Sequence, residues 1–463
     1  MATEISPAPT ASAAPPAGTG VAPRLSEQPT PETSPSNCPG SSPSAALPGP
    51  PPSARRWRWA EPLALWGVSR LLVAVALVAG SVFHPITVDL RKANPFAGPV
   101  DNLSEYFRAY AAEPLKHGKT PMFGVRAGGS DAWLAPFTGW DGIWFQSVVE
   151  LGYQPDMRRP FQQNIAFFPV YPLLIRGVAA MGVPPLIAGV LTSHVATLFA
   201  AVALYNLVLA RWGRGAARWS AAGWLFYPTA LFGSVTYADS LLALAGVLSL
   251  AALLGGRYLT CGAWAGLATA IRPPGLALGM ALVPSLAGRQ PVRVLAAGLL
   301  SITGIVAYFG YLYTLTGDPL TYPHIVATWR DGGKSTWNPL VWLLFIVNDT
   351  ILSLRVVARG GPAYILNSSH LFEPLFTGIS LVLLWRVRKL GTGVFLGSCV
   401  MTALPLSTGA LPSFGRYSWA NMPLFIALGI ALARSPLRWV WILASSLLLL
   451  WLAAAHGGGW EVI

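Results

Sequence analysis

Long apolar runs recur along this chain of 463 residues, from Leu63 almost to the C-terminus. Hydrophobic residues make up 53% of the chain and charged residues only 11%, and the mean hydropathy is positive. A helix that crosses a membrane needs about 20 apolar residues, and many such runs in one chain are typical of polytopic membrane proteins. The sequence therefore predicts an all-α membrane protein with several spans.

The charge and the cysteines exclude several other classes of protein. A net charge of +13 can indicate a nucleic-acid partner. Here, however, the basic residues stand in twos and threes between apolar runs, where they can face the cytoplasm and anionic lipid headgroups. Cys38 lies in a polar segment and Cys261 and Cys399 in apolar ones, a pattern that predicts neither a disulfide framework nor a metal site. We expect no nucleic-acid partner, no metal and no cofactor.

Residues 1–54 differ in composition from the rest of the chain. They are rich in Pro, Ala, Ser and Gly and poor in large apolar residues, so they cannot offset the entropy of ordering. We predict a disordered cytoplasmic tail over 1–54 and a multi-span membrane domain over 55–463.

Basic residues at the ends of the apolar runs predict the topology, because cytoplasmic loops collect Lys and Arg. Arginines at 55–58 precede the first apolar run, 60–83, which places the N-terminus in the cytoplasm. The apolar segment 167–181 is short and contains two prolines and Arg176. If it crossed the membrane, the arginines at 211–218 would fall outside, so we assign it to the outer interface.

The same rule applied downstream predicts about eleven spans, with the C-terminus outside. A first outer loop covers 84–184 and a second covers 317–370. The apolar piece of the second loop, 340–354, is interrupted by Asn348 and Asp349, and we place it on the outer surface.

This topology puts isolated ionisable residues on one side of the membrane. Apart from Arg176, the ionisable residues that stand at the ends of apolar runs and do not belong to a basic cluster all lie on the outer side of the membrane: Asp141, Asp239, Arg272, Asp318 and Arg416. Ionisable residues in a membrane domain are costly and usually functional, so they indicate a site on the outer face. We identify His194 as the one ionisable residue well inside a span and expect it to bond between helices.

The stretch GWDGIWFQSVVELGY, residues 139–153, surrounds one of these charges with aromatic residues. Its apolar residues follow helical spacing and its polar residues fall on other faces, which predicts an amphipathic helix along the outer interface. Asp141 can complete a capping pattern with Thr138, or it can act as a general base; a helix N-terminus keeps a carboxylate ionised in either case.

Four further motifs each allow a structural and a functional interpretation. AFFPVYPLLIRG, 166–177, can be a kinked interfacial segment in which Arg176 reaches the water. YADS, 237–240, can be a simple N-cap. In RPPG, 272–275, the arginine meets either a phosphate or carboxylate ligand or a structural partner. In GRYSWANMP, 415–423, Arg416 and Tyr417 can anchor the chain at the interface or add a second outer arginine.

Several common motifs are absent from the sequence. It has no Asp-x-Asp pair, no Gly-rich phosphate loop, no His-Glu-x-x-His and no cytosolic domain large enough for a nucleotide sugar. A group-transfer enzyme of this kind would need a membrane-borne donor.

Five motifs together resemble the PIG-V-type mannosyltransferases, membrane enzymes of the GT-C class. These are WDG at 140–142, GYQP at 152–155, AFFPVYPLLIRG, YADS and RPPGL at 272–276. The resemblance covers about 137–276 well and the C-terminal part, including GRY at 415–417, loosely. The chain departs from the family at Gly139, where a basic residue is frequent, and in YADS, where a glutamate is usual after the tyrosine.

The resemblance implies a GT-C bundle whose first outer loop carries two juxtamembrane helices. It implies inverting transfer of mannose from polyprenyl-phosphate-mannose to a lipid-linked or cell-envelope glycan acceptor at the outer face of the plasma membrane. Asp141 would be the general base, and Arg272 and Arg416, with Tyr417, would hold the phosphate. The residues implied for the sugar and acceptor pocket are Trp140, Tyr237, Asp239, Tyr171 and Phe168.

The composition, rich in Ala, Gly, Pro and Arg, is typical of a GC-rich bacterial genome. Bacteria have no GPI, so the acceptor of the family is not carried over. Two other classes stay open: a lipid or sugar transporter, which would place its site near the membrane midplane, and a non-catalytic subunit of a membrane enzyme.

Overall fold

The computed structural model describes residues 58–83, 99–100, 126–127, 129–155, 163–328, 336–367, 372–407, 413–459 and 462. The tail predicted at 1–54 and much of the first outer loop lie outside these residues. The boundaries predicted for the outer loops therefore stay predictions.

The described part of the chain is helical apart from one short pair of strands. The helices are α1 Ala60–Phe83, α2 Asp141–Leu151, α3 Val170–Ala179, α4 Pro185–Leu225, α5 Asp239–Leu254, α6 Tyr258–Ile271, α7 Leu276–Met280, α8 Pro291–Ser301, α9 Thr303–Thr316, α10 Thr321–Thr328, α11 Pro339–Asn367, α12 Glu373–Val387, α13 Thr392–Leu406, α14 Phe414–Ala420, α15 Met422–Ala433 and α16 Arg438–Gly457. Short 3₁₀ segments are Gly129–Phe137, Asn164–Ala166, Pro228–Gly233, Pro273–Gly275, Val283–Ala287 and Arg388–Leu390. Strands β1 Pro99–Val100 and β2 Arg126–Ala127 pair in parallel.

Four of the described helical stretches are long and apolar enough to cross a membrane: α1, α4, α8 with α9, and α16. Within α4, Gly213 has a φ of 84° and breaks the helix. Other apolar helices of the described residues are shorter than 18 residues. The prediction of an all-α membrane protein is confirmed, whereas the count of about eleven spans stays a prediction.

Two short helices follow α1, as predicted for the juxtamembrane elements. Helices α2 and α3 have 11 and 10 residues. At about 1.5 Å per residue neither is long enough for a hydrocarbon core of about 30 Å. The segment 167–181 is therefore not a span of its own.

Helix α2, predicted as an amphipathic helix along the outer interface, does not keep a fully exposed polar face. Eight of its residues are buried, including the polar Gln146 and Ser147. Gln146 Nε2 donates a hydrogen bond to Pro185 O at the start of α4, and Asn164 Nδ2 donates to Ser147 Oγ. Neighbouring elements thus cover Gln146 and Ser147, whereas Glu150 stays exposed.

A pair of tryptophans ties α4 to α14 in the largest hydrophobic cluster. The rings of Trp224 and Trp419 stack with centroids 4.8 Å apart. Each indole N–H donates to the backbone carbonyl of the other residue, at 3.0 and 2.9 Å. Both residues are fully buried, so this contact fixes the position of α14, the helix that carries Arg416.

Helix α11 also differs from the prediction, since it runs through Asn348 and Asp349 without interruption. Asn348 is exposed. An exposed polar side chain needs no internal partner, so it does not force the helix to end.

Candidate active site

Four charged residues from four helix ends form two ion pairs, which we call the charged cluster. Asp141 and Asp239 are the first residues of α2 and α5, Arg272 directly follows α6, and Arg416 lies in α14. Arg416 Nη1 donates to Asp141 Oδ2 at 2.5 Å. Arg272 Nη1 donates to both oxygens of Asp239, at 2.7 and 2.6 Å.

Two tyrosines join these pairs. The backbone N–H of Asp141 donates to the hydroxyl of Tyr237 at 3.2 Å, and the Arg416 guanidinium lies 5.2 Å from the centre of the Tyr237 ring. Arg272 Nη2 donates to the hydroxyl of Tyr417 at 3.2 Å, and Tyr417 directly follows Arg416. The predicted residues from four separate motifs therefore share one site.

The exposure of the charged side chains separates their roles. The Asp141 side chain is 24% exposed, compared with 7% for Arg416, 13% for Arg272 and 0% for Asp239. Asp141 is thus the acid of the cluster that a substrate can reach. Asp239 is enclosed, and its carboxylate neutralises Arg272.

Electrostatics keep both arginines charged and Tyr237 neutral. Burial would lower the pKa of Arg416, but the Asp141 and Asp239 carboxylates outweigh it and raise that pKa. Likewise, burial lowers the pKa of Arg272 and the adjacent Asp239 more than restores it. Burial raises the pKa of Tyr237 well above its usual value, and the Asp141 carboxylate raises it further.

The predicted capping pattern of Thr138 and Asp141 is wrong. Thr138 Oγ1 donates to Leu134 O, and no side chain caps α2. The Asp141 carboxylate is instead engaged by Arg416, and the Tyr237 hydroxyl accepts from the first amide of the helix. YADS is not an N-cap either, since α5 has no side-chain cap.

Backbone strain lies on both sides of the Asp141–Arg416 pair. Among the described residues, the non-glycine residues with positive φ are Trp140, at 57°, and Ser413, at 69°. Trp140 directly precedes Asp141, and Ser413 precedes α14 and accepts a hydrogen bond from Arg416 Nη2 through its Oγ. Such strain persists where the surrounding structure enforces it, and it concentrates at functional sites.

Arg176, which the sequence allows to reach the water, is exposed and also holds the other end of α2. Its Nε donates to Val149 O at 2.8 Å and its Nη2 to Val148 O at 2.9 Å. These carbonyls belong to the last turn of α2, and Val148 O also accepts from the backbone N–H of Gly152 at 3.0 Å. Arg176 therefore fixes the helix that presents Asp141.

Two residues predicted for the sugar pocket lie in packing contacts. The Tyr171 hydroxyl donates to Gly189 O at 2.8 Å, and its ring packs edge-on against Phe145. Phe168 packs against Tyr308. Trp140 is half-buried beside Asp141. Among the interactions of the described residues, neither Tyr171 nor Phe168 makes a hydrogen bond with the charged cluster, and their pocket role stays a prediction.

Three residues near the site were missed by sequence reasoning. Phe232 lies under the Arg416 guanidinium, 5.4 Å away, and the buried His456 has its ring 6.2 Å from those of Phe232 and Tyr237. Arg70 is buried in the middle of α1, so His194 is not the one ionisable residue inside a span. The signal for Arg70 was a charge inside an apolar run.

A small apolar cleft lies one to two helical turns from the charged cluster. It lies between α5, α7, α13 and the junction of α14 with α15, and small residues form much of its wall: Gly246, Ala277, Gly397 and Ala420. Gly246 follows Asp239 by about two turns of α5, and Ala420 follows Arg416 by about one turn of α14. The helices that carry the charges thus continue into the walls of the cleft.

No group of three His, Cys, Asp or Glu suited to a metal ion occurs in the part of the chain that the structure describes. The expectation that the reaction needs no metal or cofactor stays a prediction.

Comparison with known proteins identifies the class. Residues 109–311, somewhat less than half of the chain, match the family model described as mannosyltransferase (PIG-V). This segment contains Asp141, Asp239 and Arg272, whereas Arg416 lies beyond it. The chain matches no curated protein.

Among solved structures, the chain is similar to the oligosaccharyltransferase of Archaeoglobus fulgidus in the apo form, with 12% identity over 86% of this chain and 56% of that one and a TM-score of 0.42. It is also similar to ArnT from Cupriavidus metallidurans bound to undecaprenyl phosphate, with 15% identity, 80% and 76% coverage and a TM-score of 0.32. The chain spans little more than half the length of the archaeal enzyme.

The apolar helices indicate a multi-pass membrane protein. Its segment 109–311 is similar to the mannosyltransferase (PIG-V) family. The family resemblance is therefore confirmed over this segment.

Proposed function

We propose that this chain transfers a mannosyl residue from polyprenyl-phosphate-mannose to a lipid-linked or cell-envelope glycan acceptor at the outer face of the plasma membrane. The observation that carries the proposal is the Asp141–Arg416 pair, in which an accessible carboxylate lies against a buried guanidinium. The Asp141 carboxylate can take a proton from the acceptor hydroxyl, and the Arg416 guanidinium can bind the phosphate of the leaving group.

Asp141 acts as the general base in this mechanism. The acceptor hydroxyl attacks the anomeric carbon of mannose while Asp141 takes its proton. The bond between the anomeric carbon and the phosphate oxygen breaks, and polyprenyl phosphate leaves with the electron pair. Attack opposite to the leaving group inverts the anomeric configuration. Asp141 Oδ2 faces Arg416, and the partial exposure of the side chain lets a hydroxyl approach the carboxylate.

Arg416 is the better placed of the two arginines to hold the leaving phosphate. Its Nη1 and Nη2 donate to Asp141 and Ser413, while its buried Nε donor has no hydrogen-bond partner among the described residues. A phosphate oxygen can satisfy such a donor and share the guanidinium with Asp141. Arg272 is already paired with Asp239 and adds positive charge at the same site.

The apolar cleft supports a lipid-borne donor. Its wall is formed mostly by apolar side chains, and it lies one to two helical turns from the charges. The first isoprene units of a polyprenyl phosphate fit this chemistry when the phosphate lies at the charged cluster.

The positions of the basic residues support an outer-face site. Arg214 and Arg218 pair with Glu61 at the start of α1, and Arg211 donates to Leu254 O at the end of α5. Asp239 begins α5, so the charged cluster and these arginines lie at opposite ends of a helix about 24 Å long. The positive-inside rule assigns the basic end to the cytoplasm.

Replacement of Asp141 by Asn tests the proposal. We expect transfer from lipid-linked mannose in purified membranes to fall by about 10²- to 10⁴-fold, with normal membrane insertion. Asp318→Asn is the matched control, because Asp318 is also partly exposed and pairs with His324 outside the cluster. Full transfer by the Asp141→Asn protein would show that Asp141 is not the base. A screen of lipid-linked mannose, other hexoses and pentoses tests the donor.

A further inference from the structure

Arg70 is a buried arginine in the middle of α1, a helix long and apolar enough to span a membrane. A charge in such a position is costly and is normally retained for function. Among the described residues Arg70 has no carboxylate partner. Its Nη1 donates to Ala230 O at 2.8 Å and Ser234 Oγ at 2.9 Å, and its Nη2 donates to Ser69 Oγ at 2.9 Å and Leu225 O at 3.2 Å.

Two of these four acceptors, Ala230 O and Ser234 Oγ, belong to one segment. We define the connector as residues 226–238, which join α4 to α5 and contain the 3₁₀ turn Pro228–Gly233. Non-helical backbone inside a membrane bundle requires partners for its polar groups. Other elements bind the connector as well: Ser445 Oγ donates to Phe226 O, Thr229 Oγ1 donates to Gly415 O, and Thr236 N donates to Phe137 O.

The connector carries two residues that contact the Asp141–Arg416 pair. Phe232 and Tyr237 lie under the Arg416 guanidinium, and the Tyr237 hydroxyl accepts from the Asp141 amide. Ala230 and Ser234, the connector residues that Arg70 binds, stand two positions on either side of Phe232. Arg70 therefore fixes the backbone that flanks the ring under Arg416.

We propose that Arg70 is a positioning residue for glycosyl transfer, which acts through the connector on Arg416 and on the first turn of α2. The inference rests on the proposed roles of Asp141 and Arg416. An arginine suits this task because its planar fork presents several donors in fixed directions, here to four acceptors at once. The compact ammonium of a lysine cannot reach acceptors that are spread along the connector and α4.

The first experiment compares Arg70→Met and Arg70→Lys with Arg211→Met. Arg211 is the matched control, because its Nη2 also donates to a backbone carbonyl, Leu254 O, at the other end of α5. Steady-state transfer is measured on purified folded protein with lipid-linked mannose. We expect kcat of both Arg70 variants to fall by about 10- to 100-fold, with the KM for the donor changed much less, and Arg211→Met to match the wild type.

A double-mutant cycle with Phe232→Leu separates positioning from a general loss of stability. If Arg70 acts through the connector, the two substitutions together reduce kcat by much less than the product of their separate effects. If Arg70→Met does not yield folded protein, the same cycle is measured with Arg70→Lys. Multiplicative effects, or a wild-type kcat in the Arg70 variants that fold, would overturn the inference.

The Asp141→Asn protein, assayed in parallel, distinguishes the two proposals. If it keeps full transfer, the proposed role of Asp141 fails, and the inference about Arg70 fails with it. If it loses transfer while the Arg70 variants keep a wild-type kcat, only the inference about Arg70 fails.

Discussion

Asp239 and Asp141 both pair with an arginine, yet the same substitution has different consequences at the two positions. Asp239→Asn keeps the shape of the side chain and removes its charge. Arg272 Nη1 then loses the two carboxylate oxygens it binds at 2.7 and 2.6 Å, and an amide N–H₂ group can face the guanidinium in place of one of them. The remaining side-chain partner of Arg272 in the described structure is the Tyr417 hydroxyl.

The expected cost follows from burial. The Asp239 side chain is fully enclosed and that of Arg272 nearly so. Breaking a buried pair by removing one partner costs about 3 to 5 kcal/mol, because a charge is left without compensation. Asp141 is partly exposed, so water can reach the Arg416 guanidinium after Asp141→Asn, and we expect a smaller loss of about 1 to 3 kcal/mol.

The assay is thermal unfolding of the purified proteins in one detergent, with transfer measured on the same samples. We expect Asp239→Asn to unfold at a clearly lower temperature than Asp141→Asn, and Asp141→Asn to be inactive while folded. Asp318→Asn, which removes an exposed pair with His324, should unfold like the wild type. The reasoning is refuted if Asp239→Asn is as stable as the wild type, or if Asp141→Asn is the less stable of the two.

Three other substitutions test the surroundings of the site. Tyr237→Phe removes the acceptor of the first α2 amide but keeps the ring under the guanidinium; kcat should fall by about tenfold. Because burial raises the pKa of Tyr237 well above its usual value, the alkaline limb of the pH–rate profile should not move, and a shifted limb would contradict this. Gly275→Ala brings a Cβ against the carbonyl carbon of Ala268, so the turn after α6 must shift. We expect the free energy of unfolding to fall by about 1 to 3 kcal/mol and the KM for the donor to rise. An unchanged KM would show that this turn does not take part in donor binding. Trp419→Phe removes the indole donor to the carbonyl of Trp224, which keeps only the longer bond from Tyr227 N at 3.4 Å. The free energy of unfolding should fall by about 1 to 3 kcal/mol. An unchanged midpoint would show that the stacked pair is not a main contact of α14.

The members of the charged cluster could be predicted from the sequence, but their pairing could not. In an apolar chain each ionisable residue at the end of a run stands out, and Asp141, Asp239, Arg272 and Arg416 were all identified in this way. Either arginine could have met either acid or a ligand. The Asp141–Arg416 pair joins residues 275 positions apart, and no local pattern encodes that contact.

Local patterns also misassigned the surroundings of Asp141. Spacing described the faces of α2 correctly, but it did not show that neighbouring elements cover part of its polar face. Thr138 stands three residues before Asp141, as a capping pattern requires, yet its hydroxyl bonds to Leu134 O. The positive φ of Trp140 turns the chain at the start of α2, and sequence spacing carries no information about that turn.

The amino-acid sequence by itself determined that this protein is a helical membrane protein with charges at one set of helix ends, because transfer of apolar and charged groups into lipid has a large free energy that depends on composition. Only the tertiary structure decided that Asp141 is accessible, that Asp239 is enclosed, and that Arg70 binds the backbone of the connector. Those properties depend on the packing of segments far apart in the chain. They therefore follow from distances of a few ångström between helices rather than from the spacing of residues within one helix.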